Sequence, residues 1–397
     1  MQVHQESVRP AGPASPTRAR SVLTSAYASF GFFWGTWAVI FSDFLATRSL
    51  TPGQMSAPFT ALSVMAIAVM VVGAPRLESW PRRLSIAVAL GFHAAGAALI
   101  ALAPVGWLVA AFVVTGIGTG LVDVFINAAA QEVEAEAQRP VLQWVHAGYS
   151  AGAAAGALVA GLALNWGGRL EWLLALAALV QAAAAGATLM TTRLRAAGVE
   201  TAKRSATSLS VFVRHRFLLV PAVVVLAAFF VEGSMDVWSV IYLRRELDAS
   251  ALAGSGGFAA FALAMAAGRS FAARVLFGLG YRLTVMLSGV VSMICGAIIV
   301  VTQDPMIASF GFLVLGFAIA WAAPAAFGIA GLWGKDAGVV IAAMTTVGYS
   351  GFVIGPVLMG RLADEVGLRA TMAVLMLATA GIVIGALFRW PSVDAST

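Results

Sequence analysis

The sequence predicts an all-α integral membrane protein with twelve transmembrane helices in two pseudo-symmetric six-helix bundles. Three observations carry this. Of 397 residues, 60% are apolar and 11% charged, with a mean hydropathy of +0.91. Soluble domains carry about 25% charged residues, so this chain has too few charges to cover a surface facing water. Twelve apolar runs follow one another, and a bilayer span needs about 20 mostly apolar residues. The third observation is a repeat: GYSAGAAAGALVAGLALNWGGR at 148–169 returns as GYSGFVIGPVLMGRLADEVGLR at 348–369. At that offset of 200 the copies agree at Gly148/Gly348, Tyr149/Tyr349, Ser150/Ser350, Leu158/Leu358, Leu162/Leu362, Ala163/Ala363, Gly167/Gly367 and Arg169/Arg369, eight of 22 positions. Internal symmetry in a membrane chain marks a secondary transporter.

In chain order, residues 1–20 are rich in Pro, Ser, Ala and Arg without apolar period and read as a disordered cytoplasmic tail. The apolar run after them is too long for the core of a cleaved signal peptide. The runs fall near 24–46, 57–74, 84–103, 105–130, 142–164, 170–190, 217–243, 251–276, 283–302, 306–332, 338–360 and 369–388. Lipid supplies no partners for backbone N–H and C=O groups, so each run must be helical. The one long connection, 191–216, carries six Lys/Arg residues and divides the chain six plus six. The domains expected are therefore a bundle over 21–190, a cytoplasmic linker over 191–216, a second bundle over 217–390 and a tail over 391–397. The repeat extends further: Phe112, Val114 and Gly116 match Phe312, Val314 and Gly316, and Trp37, Val39 and Ile40 match Trp238, Val240 and Ile241 at an offset of 201.

Lys/Arg placement sets orientation. With the N-terminus inside, 17 of the 24 lie in inner segments, six in outer loops, and Arg269 within a span. Both termini are expected in the cytoplasm, across an inner (plasma) membrane. The same asymmetry accounts for the net charge of +6, so no nucleic-acid partner is expected. The inner stretch 131–139 reads as a loop despite Glu132, Glu134 and Glu136. One cysteine, Cys295, and four scattered histidines (His4, His93, His146, His215) give no metal spacing, and no nucleotide-binding loop is present. No metal and no cofactor are expected.

Several segments resemble known proteins: GLVDVFINAAAQEVE (120–134), RPVLQWVHAGYSAG (139–152), VEGSMDVWSVIYLRREL (231–247) and GYSGFVIGPVLMG (348–360). On these, from about residue 24 to 388, the chain resembles the major facilitator superfamily, and within it the rhizopine-transporter-like bacterial branch. The resemblance implies a central cavity lined by the first, fourth, seventh and tenth spans, two halves rocking around it, and a sugar-like polar solute. The superfamily's loop signature G-x-L-x-D-x-x-G-R-R is weak after the second span, where APRLESWPRR (74–83) has Glu78 in place of Asp, Pro81 in place of Gly, and retains Arg82 and Arg83. Glu78, Arg82 and Arg83, with Arg269 of the eighth span, are expected to serve as gate or structural charges. The best match is GRLADEVGLR (360–369), on the outer side between the last two spans.

Ionisable residues within a span cost about 2.5–3.5 kcal/mol at its centre and usually face a cavity or a partner. Glu232 and Asp236, four apart, share a face of the seventh span. Burial and a second nearby carboxylate both favour the protonated form of a carboxyl, so the pair suits proton coupling. Asp123 and Asn127 share a face of the fourth span, and His146 opens the fifth on the same side. These three are expected to form a polar cluster that relays protons or helps gate the inner end; helix-to-helix hydrogen bonding accounts for them equally well. Arg269 needs a counter-charge, which residue counting does not supply: Glu232 lies about 10 Å higher at 1.5 Å per residue. Asp43 is placed at the outer interface, and His93 is expected to be packed. Trp37, Asn127, Tyr149, Trp238 and Trp321 are expected to line the binding cavity.

Gly152-x3-Gly156 and Gly351-x3-Gly355-Pro356 resemble the superfamily's antiporter motif, and close helix packing also explains them. GYSG at 348–351 resembles a serine-protease nucleophile motif, but its first three residues recur at 148–150, which favours structure over catalysis. The expected function is proton-coupled secondary transport of a small polar, sugar-like organic solute by alternating access, with drug or secondary-metabolite efflux by proton antiport as the alternative. It is not expected to be an enzyme. The partners expected are the solute, protons and the lipid bilayer, with the chain acting as a monomer.

Overall fold

Backbone hydrogen bonding in lipid leaves helices as the only open choice for these apolar runs, and the computed structural model is helical throughout. It describes residues 16–77, 79–137, 139, 141–191, 210–330 and 337–388. Residues 1–15, Glu78, linker residues 192–209, Lys335 and the expected tail 391–397 lie outside the described residues. The first bundle comprises α1 (Pro16–Thr47), α2 (Ser56–Ala68, continued by tighter and wider turns to Leu77), α3 (Arg82–Leu102), α4 (Leu108–Ala137), α5 (Leu142–Asn165) and α6 (Leu170–Leu189). After a one-turn helix at Ser210–Arg214, the second begins with α7 (Leu219–Ile241, extended by a π turn over Tyr242–Glu246).

Among the described residues, eleven helices are long and apolar enough to cross a membrane, and one of them, Ala251–Val301, has 51 residues. At 1.5 Å per residue that is about 76 Å, more than two bilayer cores. Gly280, at φ 71° and ψ 171°, breaks it into α8 (251–279) and α9 (281–301). The flanking contacts prove a hairpin. Along α10 (Pro305–Ile319, continuing as Ala322–Ala330), Gly257 lies by Ser309 and Gly268 by Phe317, whereas Gly311 lies by Ile299 and the Ser288 hydroxyl donates to the Ala318 carbonyl. The two arms thus track α10 in opposite directions, and the spans number twelve with α11 (Ala337–Val366) and α12 (Leu368–Leu387). An even number puts both described ends at one face, called here the termini face.

Three helices outrun their apolar cores. α1 starts at Pro16, inside the stretch expected to be a disordered tail, with proline at a first-turn position that needs no N–H donor. α4 runs to Ala137, so most of the expected 131–139 loop is helix: Gln, Glu and Ala are strong helix formers and need no lipid. α11 continues through 361–366 for the same reason.

The two halves pack alike. α1 lies on α5 and α7 on α11; α3 lies on α4 and α6, as α9 does on α10 and α12. The repeat-matched Gly167 and Gly367 both take positive φ (77° and 83°) at the turn entering the sixth and twelfth helices, a conformation that favours glycine. Between halves, α5 meets α8, α2 meets α11 and α1 meets α7. The α1–α5 seam is nearly backbone to backbone: a Cβ on Gly35 would lie 1.8 Å from the Ala153 carbonyl oxygen, and Gly152 faces the Ala28 carbonyl as closely. Gly351 does the same against Leu226 of α7, so packing accounts for both glycine patterns. Gly35→Val is expected to destabilise the first bundle by about 1–3 kcal/mol, read as a melting temperature several degrees lower in detergent; an unchanged melting curve would contradict this packing.

Candidate functional site

The charged groups that the sequence places inside spans converge at mid-depth between the halves. On the second bundle's side, α7 and α8 run antiparallel. Counted from their joined ends, Glu232 and Arg269 differ by only about 6 Å in height at 1.5 Å per residue, which an arginine side chain spans. Arg269 Nη2 donates to both Glu232 oxygens, at 2.7 and 2.8 Å. The pair is partly shielded, with 14% of the Glu232 and 32% of the Arg269 side chain exposed. Arg269 thus has the partner that residue counting leaves open. Asp236, one turn along α7, is half-buried and lies within electrostatic reach of both.

On the first bundle's side, Asp123 of α4 accepts the Tyr27 hydroxyl from α1 at 2.8 Å. Its other oxygen accepts the Tyr349 hydroxyl from α11 at 3.4 Å, across the interface between halves. Asn127 donates to the Asp123 backbone carbonyl at 2.7 Å, and its side-chain oxygen lies 3.0 Å from His146 Nε2. The expected Asp123–Asn127–His146 cluster is therefore brought together, with one difference: the Asp123 carboxylate is held by two tyrosines rather than by Asn127 or His146. His146 lies within electrostatic reach of Arg269. Tyr149 of α5 sits between the groups, within reach of Asp236, Glu232, Asp123 and Arg269. Its ring lies 5.2 Å from Tyr27 and 5.9 Å from Phe30, Tyr27 is also edge-on to His146 at 5.4 Å, and in the second half Tyr349 meets Phe229 at 6.0 Å and Phe352 at 5.9 Å.

Three acids, one arginine, one histidine and hydroxyls on aromatic rings can bind a polar solute edge while moving a proton between carboxyls. Among the described residues, no group of three His, Cys, Asp or Glu could hold a metal ion.

Two expected cavity walls are elsewhere. Trp37 and Trp238 are each 1% exposed. Trp37 is enclosed by Phe33, Phe41, Phe44, Phe59 and Phe112, and Trp238 meets Phe41 edge-on at 6.1 Å. Together they form an aromatic plug between the site and the face opposite the termini. A period in sequence gives a helix face, and this face meets other rings rather than open space. Trp321 is half-buried at the turn inside α10, edge-on to Phe317 at 5.1 Å. His93 is packed, with Nδ1 2.7 Å from Gln181 Oε1.

Of the gate charges, Arg82 pairs with Glu132 at 2.8 Å, which ties α3 to α4 within one half. Arg83 is half-buried beside it on α3, and Glu78 lies outside the described residues. Asp43, placed at the outer interface, lies late in α1 and pairs across the halves with Arg244. Tyr27 and Tyr349 were not singled out as site residues by the sequence. The signal was present for Tyr349, which is the repeat-mate of Tyr149.

The family model described as Major Facilitator Superfamily matches residues 23–356. An uncharacterised MFS-type transporter of Yersinia pestis is 33% identical over 261 residues, 64% of this chain and 65% of that protein. Membrane protein MosC of Rhizobium meliloti is 32% identical over 156 residues, 38% of this chain and 37% of that one. The aligned stretches thus span less than two thirds of either relative. Among solved structures, a bacterial homolog of the human lysosomal transporter Spinster, in an inward-facing and unoccupied conformation, superposes with a TM-score of 0.77 at 14% identity, covering 94% of this chain and 98% of that one. The D323A mutant of the nucleoside transporter NupG gives 0.76 at 12% identity, covering 93% and 99%. At these identities the likeness is one of fold.

Proposed function

Because this chain belongs to the major facilitator superfamily and is a multi-pass membrane transporter, we propose that it couples proton movement to passage of a small polar, sugar-like solute by alternating access. The observation that carries this reading is the Glu232–Arg269 ion pair inside the spans with a third ionisable group, Asp236, one turn away. Charges at this depth are costly and mark ion or proton pathways. In the proposed cycle, a proton reaching Asp236 or Glu232 weakens the hold on Arg269, and the freed guanidinium and carboxyls rearrange around the solute. Tyr149 bridges toward Asp123, and His146 through Asn127 offers a path to the termini face. The aromatic hydroxyls and ring faces suit a polyol or sugar, which presents both hydroxyl edges and C–H faces. The termini face is the cytoplasmic one in this reading, and the membrane is the inner one.

Protein reconstituted in liposomes, with an acid exterior, is to be screened against sugars and polyols. Accumulation of one solute above its external concentration, lost on adding a protonophore, is expected. Uptake unchanged when the gradient is collapsed would discard the coupling.

A further inference from the structure

The first bundle holds two polar side chains that the candidate site does not use. His93 of α3 and Gln181 of α6 are both 0% exposed, and Nδ1 of the histidine lies 2.7 Å from Oε1 of the glutamine. An amide oxygen only accepts, so Nδ1 carries the proton. That leaves the His93 Nε2 lone pair and the Gln181 amide N–H groups, and neither nitrogen has a hydrogen-bond partner among the described residues. Orphaned polar groups in a packed core are costly, whereas apolar residues of the same shape in both places can be nearly neutral or stabilising. Stability therefore does not account for the pair.

What a hydrogen bond adds to packing is direction. The torsion that turns an imidazole is broad, and contacts with smooth ring faces do not fix it. Three rings of α1 lie against His93: Phe30 at 4.8 Å, Phe33 at 4.6 Å and Trp34 at 6.1 Å, with both phenylalanines edge-on to it. On α4 there is no slack, since a Cβ on Gly118 would collide with the His93 backbone nitrogen. The backbone is thus held by α4 and the imidazole by α6, and α1 rests its rings on the result. Phe30 carries this to the candidate site. It stacks on Tyr27 at 5.8 Å and lies 5.9 Å from Tyr149. Tyr27 donates to Asp123, and Tyr149 lies within reach of Asp236, Glu232, Asp123 and Arg269. A turn of the imidazole would displace Phe30, and with it the two hydroxyls beside the acids.

We propose that the His93–Gln181 pair is a positioning element of the solute site, fixing through Phe30 where the Tyr27 and Tyr149 hydroxyls point. The proposal rests on these tyrosines facing the solute, but its first test needs no solute. The chain has five tyrosines, Tyr27, Tyr149, Tyr242, Tyr281 and Tyr349. Protein labelled with 3-fluorotyrosine therefore gives five fluorine resonances, assigned by replacing each tyrosine with phenylalanine. Gln181→Met removes the acceptor without adding a ring. It is expected to move or broaden the Tyr27 and Tyr149 resonances and to leave those of Tyr242 and Tyr281, in the second half, in place. Gln181→Glu, which keeps an acceptor oxygen, should return them to the parent's positions. His93→Phe combined with Gln181→Met leaves no orphaned polar group, so it should melt at or above the parent's temperature. In that stable variant the half-saturation concentration for solute should rise several-fold at an unchanged maximal rate, the mark of lost binding. Tyr27 and Tyr149 resonances at the parent's positions in Gln181→Met, or parent half-saturation in the double variant, would overturn the positioning role. Moved resonances in a parent protein that carries no solute would keep the positioning of the tyrosines and discard only the transport reading.

Discussion

Glu232→Gln is expected to abolish accumulation driven by a proton gradient, with uptake falling about 100-fold or more, the scale on which a proton-handling group acts. The geometry gives two separable reasons. Glutamine cannot carry the proton, and it leaves the Arg269 guanidinium without its counter-charge at mid-depth. Breaking one side of a buried pair costs about 3–5 kcal/mol, and Arg269 keeps some access to water, so the lower end applies. The double variant Glu232→Gln with Arg269→Gln separates the effects. It should recover most of the melting temperature lost in the single variant, because no uncompensated charge remains, yet it should not recover accumulation. Radiolabelled-solute uptake and thermal melting, measured on the same preparations, check both halves of this expectation. A single variant that accumulates solute normally would remove Glu232 from the mechanism.

The second large effect concerns Asp123. Its two oxygens are each held by a hydroxyl, one from its own half and one from the other. Hydrogen bonds to a charged group contribute about 1.5–3 kcal/mol, and the Tyr349 bond, longer at 3.4 Å, is the weaker. Asp123→Asn keeps the shape, loses the charge and can accept from both tyrosines only through one oxygen. Solute exchange is expected to slow about tenfold or more. Tyr349→Phe should reproduce part of that loss by cutting the link between halves, whereas Tyr27→Phe leaves that link in place and frees Asp123 within its own half. Exchange at the parent's rate in Asp123→Asn would show that the tyrosine pair merely packs.

The repeat at 148–169 and 348–369 was enough to read two alike halves, because matched side chains such as Gly167 and Gly367 serve the same turn in each. Apolar length was enough to place twelve spans, including the two that run together around Gly280. Helix ends were less legible. Apolarity stops at the lipid boundary, but helical propensity does not, so α1, α4 and α11 continue past it. Within the site, single-helix spacing found Glu232 with Asp236 and Asp123 with Asn127. Pairings between helices depend on rotation and on which helices are neighbours. That is why Arg269 found Glu232 despite its expected height, and why the pairing of Asp43 with Arg244 was not foreseen. The tryptophans show the opposite limit. Trp37 and Trp238 face inward as their period implies, yet inward at their depth is a packed plug. Tyrosines on apolar helices look like core until a carboxylate is seen at their hydroxyl, which hid Tyr27.

Solute-dependent proton flux by Asp236→Asn, compared with the parent in liposomes carrying an internal pH dye, tests the central claim most directly. Asp236 stands next to the ion pair, so the account predicts that the variant still exchanges labelled solute but moves no protons with it. Proton flux per solute equal to the parent's would contradict the claim that the mid-depth acids carry the coupling.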